Sequence, residues 1–300
     1  DIQEPVAQGS IALAGHWGLG KLIMFYDSND AQISGKVSRS DSTDYALMFK
    51  SHGWHVQEID GHNHDDIRAA IRVAQMEIEK PSIIIGTTIM ANGSANMEGD
   101  HNTHGAPMPH EEIAATKVKL GLNPEQLYYL PKDVLTDFRA SYDYARDEVT
   151  VWNKNLDSRM KDSEFKKQWN ISSNLGLPDN IDWPIYKNGD KIATRKVWGA
   201  AIEEMSSKGS FLVGGSADLE PSNVTVGFAK MVDDFSKNNA SGMNFAYGVR
   251  EFPMGVINNG IAQHGGLQVF GATFFVFADY ERPAIRMRAL QKLPVVSEFT

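Results

Sequence analysis

The chain has 300 residues, 42% of them hydrophobic and 22% charged, with a net charge of −9 and a pI of about 5.5. That length holds roughly two ordinary domains, and the acidic balance argues against a nucleic-acid or anionic-membrane partner. The absence of cysteine excludes disulfides, thiolate metal sites and a Cys nucleophile and fits a cytoplasmic setting, no apolar run reaches the length of a membrane span, and Asp1-Ile2-Gln3-Glu4-Pro5 lacks the regions of a signal peptide.

Pro5 to Leu19, rich in Ala, Leu and small residues, reads as a helix. Leu22–Tyr26 is an apolar strand that ends in the turn Asp27-Ser28-Asn29-Asp30. A short helix over Asp44–His52 and a strand over Trp54–Ile59 follow. His64–Glu79 has helical apolar spacing, with Asp65 and Asp66 favourable in its first turn. Pro81 opens an Ile-rich strand, Ser82–Gly86. This strand–helix alternation predicts parallel strands flanked by helices, an α/β class.

Residues 91–108 form a long loop that leads into His110 and holds His101 and His104; loops of that length are usually functional. Residues 110–175 are charged and mostly helical, with Trp152 and Trp169 as expected anchors, and 172–192 reads as a linker. A second α/β segment follows: a helix over Arg195–Ser206, strands at Phe211–Gly214 and Asn244–Tyr247, helices over Glu251–Gly265 and Thr273–Leu290 (with Pro283 able to kink the latter), and a strand at Leu293–Phe299.

Five groups of residues could carry chemistry, and each has a plainer reading. Asn29, after a strand end, can offer a hard oxygen to Mg²⁺; an Asx turn explains it equally. His104 can bond a phosphate or move a proton, or be one of several surface histidines. Gly214-Gly215-Ser216-Ala217-Asp218-Leu219-Glu220-Pro221-Ser222-Asn223 lets backbone approach a ligand, with Asp218 and Ser222 toward the crevice; it also reads as a turn. Glu251, in Tyr247-Gly248-Val249-Arg250-Glu251-Phe252, sits where burial would favour a protonated carboxyl able to face a heterocycle nitrogen, or it starts a helix. Phe274, Phe277 and Tyr280 make an aromatic stripe on one helix face, cofactor platform or core. Arg195 is a surface cation or a bidentate phosphate binder.

The order of these motifs resembles the transketolase family: Leu19 to Asn29, Asp60-Gly61-His62, Thr103-His104-Gly105-Ala106-Pro107, Gly214 to Asn223, Gly248-Val249-Arg250-Glu251-Phe252 and His264-Gly265-Gly266. The resemblance spans nearly the whole chain. It implies two thiamine-diphosphate-binding-fold segments: a diphosphate-binding domain over 1–150, a helical linker over 151–192 and a pyrimidine-binding domain over 193–300. It implies reversible transfer of a two-carbon ketol group from a ketose phosphate of the xylulose 5-phosphate type to an aldose phosphate, in the pentose phosphate pathway, through a thiamine-diphosphate carbanion. The cofactors implied are thiamine diphosphate and Mg²⁺, with Ca²⁺ or Mn²⁺ as substitutes. The assembly implied is a homodimer with sites at the subunit interface, or a complementary subunit if the enzyme is split.

By position, the resemblance makes Asn29 a Mg²⁺ ligand through its side chain and Ala31 one through its carbonyl. Glu251 becomes the acid that bonds the aminopyrimidine nitrogen. Phe274 and Phe277 become the wall for that ring, extended by Tyr280. His104 touches cofactor and substrate, Arg195 and Ser222 bind the sugar phosphate, Asp218 lies near the cofactor, and Glu4 links two sites across a dimer. The family's Gly-Asp-Gly metal motif is expected directly upstream of Asp1, and its channel histidines and C-terminal domain lie outside the 300 residues. The chain is thus read as a window on a longer protein, a proteolysed core or half of a split enzyme. Gly9 stands where many members carry a second interface glutamate, and Thr87 where many carry lysine. The alternatives are dihydroxyacetone synthase, deoxyxylulose-phosphate synthase, or a non-catalytic fragment that kept the fold.

Overall fold

The computed structural model describes residues 1–178, 180–209 and 211–300; Asp179, in the expected linker, and Ser210 lie outside the described residues. In chain order the elements are α1 (Pro5–Trp17), β1 (Ile23–Ser28), β2 (Ala31–Gln32), β3 (Gly35–Lys36), α2 (Tyr45–Ser51), β4 (His55–Asp60), α3 (His64–Met76), β5 (Ser82–Thr87), α4 (His110–Lys119), α5 (Lys132–Arg159) and α6 (Ser163–Ser173). They continue with α7 (Thr194–Ser207), β6 (Leu212–Ser216), α8 (Glu220–Asn223), α9 (Val226–Val232), α10 (Glu251–His264), β7 (Gln268–Thr273), α11 (Ala278–Gln291) and β8 (Val295–Phe299). The chain divides into two compact units, one of Gly18–Trp152 and one of Asp1–Trp17 with Asn153–Thr300.

In the Gly18–Trp152 unit the sheet order is β1-β5-β4 and both pairings are parallel. β5 lies in the middle and is buried from Ser82 to Gly86, which is why its sequence is a continuous Ile run rather than an alternation. Ile84 packs on Ala70 and Ala74 of α3. Asn63 caps α3, its side chain accepting from the Asp65 and Asp66 N–H groups, and Asp44 caps α2 by accepting from Leu47 N–H. Phe49 and Trp54 meet edge-to-face at 5.0 Å between centroids.

In the second unit the order is β6-β7-β8, again parallel. Ile202, Phe211, Leu212, Phe228 and Phe270 form one buried cluster, and Val213, Ala262 and Val269 another. Helix α1 packs on α10. Gly9 makes that crossing: a Cβ there would lie 2.5 Å from Pro253 Cγ. At the end of α1, Trp17 meets Phe235, Phe245 and Tyr247 edge-on.

The α/β class with parallel sheets and flanking helices is the one expected, but four local readings change. Asn244–Tyr247 is not a ladder strand; Asn244 makes isolated bridges to Gly214 and Asp234, and Tyr247 turns its ring into the core. The helix expected over Thr273–Leu290 begins only at Ala278. Thr273 ends β7, Phe274 is extended, and Phe275–Phe277 make a 3-10 turn. The aromatic stripe therefore does not lie on one helix face. Pro283 sits inside α11. Trp152 is no anchor, being 54% exposed, whereas Trp169 is half-buried and stacks with Phe165.

Candidate active site

Most of the predicted site residues lie in one or other unit near strand ends: Asn29 and Ala31 follow β1, and Asp218, Ser222 and Phe274 follow β6 and β7, the carboxyl ends where α/β sheets bind ligands. In the Gly18–Trp152 unit, β1 runs out into Asn29, whose Oδ1 accepts the Ala31 N–H at 3.0 Å. Asp30 between them takes a left-handed φ of 52°, so the chain turns back at once into the β2–β3 pair. The Asn29 side-chain oxygen and the Ala31 carbonyl are thus hard oxygens on one tight turn. Among the described residues no group of three or more His, Cys, Asp or Glu could hold a metal. A divalent ion here would lean on these neutral oxygens and take the rest of its shell from phosphate or water, a set that suits Mg²⁺, with Ca²⁺ or Mn²⁺ as substitutes.

Histidines brace this strand-end region. His62 Nε2 accepts the Ile89 N–H at 2.8 Å, and its Nδ1 lies 3.1 Å from Asn92 Nδ2. Asp27 accepts from the Thr88 hydroxyl. The Thr87 carbonyl accepts the Gly61 N–H at 2.8 Å. His101 Nδ1 donates to the Ile33 carbonyl at 3.2 Å, tying the long loop to the β2–β3 turn. His104 follows, exposed, directly after the short 3-10 turn His101–Thr103. The loop bearing His104 and the turn bearing Asn29 and Ala31 are therefore neighbours.

In the second unit Glu251 is the first residue of α10 and is only 9% exposed. Its surroundings are fixed from the preceding segment: Arg250 donates to the Tyr247 carbonyl at 3.0 Å, and the Tyr247 hydroxyl donates to Asn258 Oδ1 at 2.6 Å. Asn258 in turn donates to the Phe270 carbonyl of β7 at 3.2 Å. Burial pushes the Tyr247 phenol above its ordinary range, and the nearby Glu281 charge adds to the shift; it is a structural donor. After β7, Phe274 and Phe277 are stacked at 5.9 Å and 27° between ring planes, and Phe277 leads to Tyr280 at 6.1 Å. Phe274 and Phe277 are half-buried and Tyr280 exposed, so the rings present an apolar ledge.

A third group closes the same sheet end. Arg195, in the first turn of α7, donates to the Ser222 carbonyl at 3.3 Å. Ser216 donates to Asn223 at 2.5 Å, and Asn223 donates to Thr300 Oγ1 at 2.8 Å. Asp218 is exposed, with a left-handed φ of 58°. Glu298 on β8 is pushed up to about 7, by burial against the opposing pull of Arg195. Glu4 lies exposed just before α1 and joins neither cluster by a hydrogen bond among the described residues.

Sequence reading missed Glu281, Arg288, Asn259 and Glu298. Glu281 is 1% exposed and Arg288 7%, and the two form an ion pair at 2.7 Å. The only sequence signal was their seven-residue separation, two turns along one helix face, and that spacing is common on exposed helices.

Residues 1–175 match the family described as "Transketolase, thiamine diphosphate binding domain", and 190–299 match "Transketolase, pyrimidine binding domain". The transketolase of Halalkalibacterium halodurans is 40% identical over 305 residues and that of Bacillus subtilis 39% over 306; all of this chain and 45% of each relative are covered. A crystal structure of transketolase from Pichia stipitis in complex with sedoheptulose 7-phosphate superposes with a TM-score of 0.92 at 33% identity, covering 99% of this chain and 45% of that one. Transketolase from Campylobacter jejuni gives 0.89 at 32% identity, with 100% and 45% covered. The chain spans about half the length of the relatives it matches. No helix among the described residues is long and apolar enough to cross a membrane. With more than half of its length inside one transketolase domain match and most of the rest inside the other, the chain belongs to the transketolase family.

Proposed function

We propose that this chain carries the cofactor-binding part of a transketolase, which transfers a two-carbon ketol group reversibly between sugar phosphates in the cytoplasmic pentose phosphate pathway. The observation that carries the reading is Glu251, buried at the start of α10 in the same unit as the stacked Phe274 and Phe277 rings. An acid and an apolar ledge are what an aminopyrimidine needs. When bound, thiamine diphosphate supplies the electron sink that lets a carbon–carbon bond beside a carbonyl break.

The chain's own residues do the rest. Glu251 would hold a proton at the pyrimidine nitrogen of the cofactor, and Phe274 and Phe277, extended by Tyr280, would offer its ring an apolar face. Asn29 through its side-chain oxygen and Ala31 through its carbonyl would hold Mg²⁺, which would supply positive charge for a diphosphate. His104 and Asp218 lie toward cofactor and substrate. Arg195 and Ser222 take the sugar phosphate, where a fixed guanidinium is worth more than the overall acidic charge. Glu4 serves a subunit interface, in a homodimer or with a complementary subunit. The division into 1–150, 151–192 and 193–300 belongs to this reading.

The test is donor choice by the protein assembled with whatever completes it. Xylulose 5-phosphate should be turned over with an aldose phosphate acceptor and pyruvate should not, and Glu251→Gln should keep the fold and lose most turnover. Preferred use of pyruvate would move the chain to the deoxyxylulose-phosphate synthase reading.

A further inference from the structure

Beside Arg195 and Ser222 lies a buried hydrogen-bonded strut that the reading above does not use. Helix α8 is four residues long, too short to hold its own place in water. It is fixed from outside through Asn223, which is fully buried. The Ser216 hydroxyl, at the end of β6, donates to Asn223 Oδ1 at 2.5 Å and accepts the Leu219 N–H at 3.2 Å. Asn223 Nδ2 donates to Oγ1 of Thr300, directly after β8, at 2.8 Å. One amide thus ties the end of β6 to the end of β8, across β7, which lies between them in the sheet. The residue before Asn223 is Ser222, whose carbonyl accepts from Arg195 at 3.3 Å.

Thr300 is bonded on a second side. Its N–H donates to the Thr273 carbonyl at 3.2 Å, and its carbonyl accepts the Phe275 N–H at 2.9 Å. These two bonds bracket Phe274, the ring stacked on Phe277. Thr300 therefore meets the aromatic ledge through its backbone and the Arg195–Ser222 pair through its side chain and Asn223. Because the two links use different atoms, the hydroxyl can be removed while the backbone bonds stay. The remaining backbone bonds of α8 are local: Ser222 and Asn223 donate to the Leu219 carbonyl at 2.9 and 2.8 Å, and Thr225 donates to the Glu220 carbonyl at 3.1 Å. They shape the turn without placing it. At its other end Glu220 accepts from Asn244 Nδ2 at 3.0 Å.

We propose that Asn223 is a positioning residue for the sugar-phosphate site: by bridging Ser216 and Thr300 it holds the Ser222 carbonyl, and with it the Arg195 guanidinium, at a set distance from the Phe274 ledge. The phosphate end of the substrate and the ring of the cofactor are thereby registered against each other by one buried amide. This rests on the roles given to Arg195, Ser222 and Phe274 above. A buried amide bonded at both ends is a stiff link, because breaking either bond leaves a polar group unsatisfied inside the protein. A guanidinium binds phosphate best when it is fixed before the ligand arrives, so loosening Ser222 costs phosphate affinity first.

The experiment compares xylulose 5-phosphate with xylulose, which has the same reacting carbons and no phosphate, as donors for the assembled enzyme. Thr300→Val removes the hydroxyl and keeps the backbone bonds around Phe274. It should raise KM for xylulose 5-phosphate about tenfold, the loss of one hydrogen bond to a charged group. Its kcat should not change, and both constants for xylulose should stay as they were. Thr300→Ser, which restores the hydroxyl, should return KM to the wild-type value. Asn223→Leu should match Thr300→Val, and the double variant should lose no more than either. Equal loss on both sugars, an unchanged KM, or a Thr300→Ser variant no better than Thr300→Val would overturn the proposal. A second arm needs no turnover: binding of inorganic phosphate to the chain, followed by ³¹P NMR, should weaken in Thr300→Val and recover in Thr300→Ser. No difference among the three proteins would overturn the proposal. A wild type that turns over neither sugar would refute the function proposed above, while the phosphate arm still decides the role of Asn223.

Discussion

Replacing Arg288 by methionine should be among the most damaging single changes in this chain, and its damage should depend on pH. Arg288 is 7% exposed and bonds Glu281 at 2.7 Å, Asn259 at 3.0 Å and the Ser297 hydroxyl. Methionine fills much of the volume but leaves Glu281 without its partner. Breaking a buried pair from one side costs about 3–5 kcal/mol, which at roughly 2–4 °C per kcal/mol means a melting point lower by about 10 °C. The sign of the pH effect follows from the Glu281 carboxyl, which is already raised in the folded chain by burial. A folded acid with a raised pKa keeps a proton that the unfolded chain releases, so stability is fullest at low pH and declines as pH rises past the ordinary carboxylate range. In Arg288→Met that decline should steepen. Thermal melts followed by circular dichroism at about pH 5 and about pH 8 measure both effects, and Glu281→Leu/Arg288→Leu should recover most of the loss because no buried charge remains. A loss under about 1 kcal/mol, or one equal at the two pH values, would refute the reasoning.

Two further outcomes follow from the same unit. Gly255→Ala should cost about 1–3 kcal/mol by overpacking, since its Cβ would lie 2.7 Å from both Ala284 Cβ and Glu281 Cγ; denaturant midpoints read it directly. Glu298, pushed up to about 7 by burial, should make stability fall as pH rises through that value from the ordinary carboxylate range, and Glu298→Gln should flatten this part of the profile in denaturant titrations at several pH values.

The parallel strands were legible where burial on both faces leaves a solid apolar run, as in Ser82–Gly86, and the helices where apolar residues recur at helical spacing behind first-turn acids, as with Asp65 and Asp66 in α3. β7 was hidden because Gln268, Gly271 and Thr273 interrupt its apolar signal and the aromatic residues after it mimic a helix stripe. The two-residue strands β2 and β3 are too short to carry any period. Of the site, the residues that mark strand ends could be read from motifs. The Glu281–Arg288 pair could not, because a charged residue on a helix looks the same in sequence whether it faces water or the core. Nor could the packing of α1, which depends on Gly9 fitting Pro253 more than two hundred residues along the chain.

The most direct test of the central claim is a calorimetric titration of the protein with thiamine diphosphate, with and without Mg²⁺. Saturable binding that needs Mg²⁺, weakens in Asn29→Ala and weakens separately in Glu251→Gln is the expected result. Binding indifferent to Mg²⁺ and to both substitutions, or no binding once the completing residues are supplied, would contradict it.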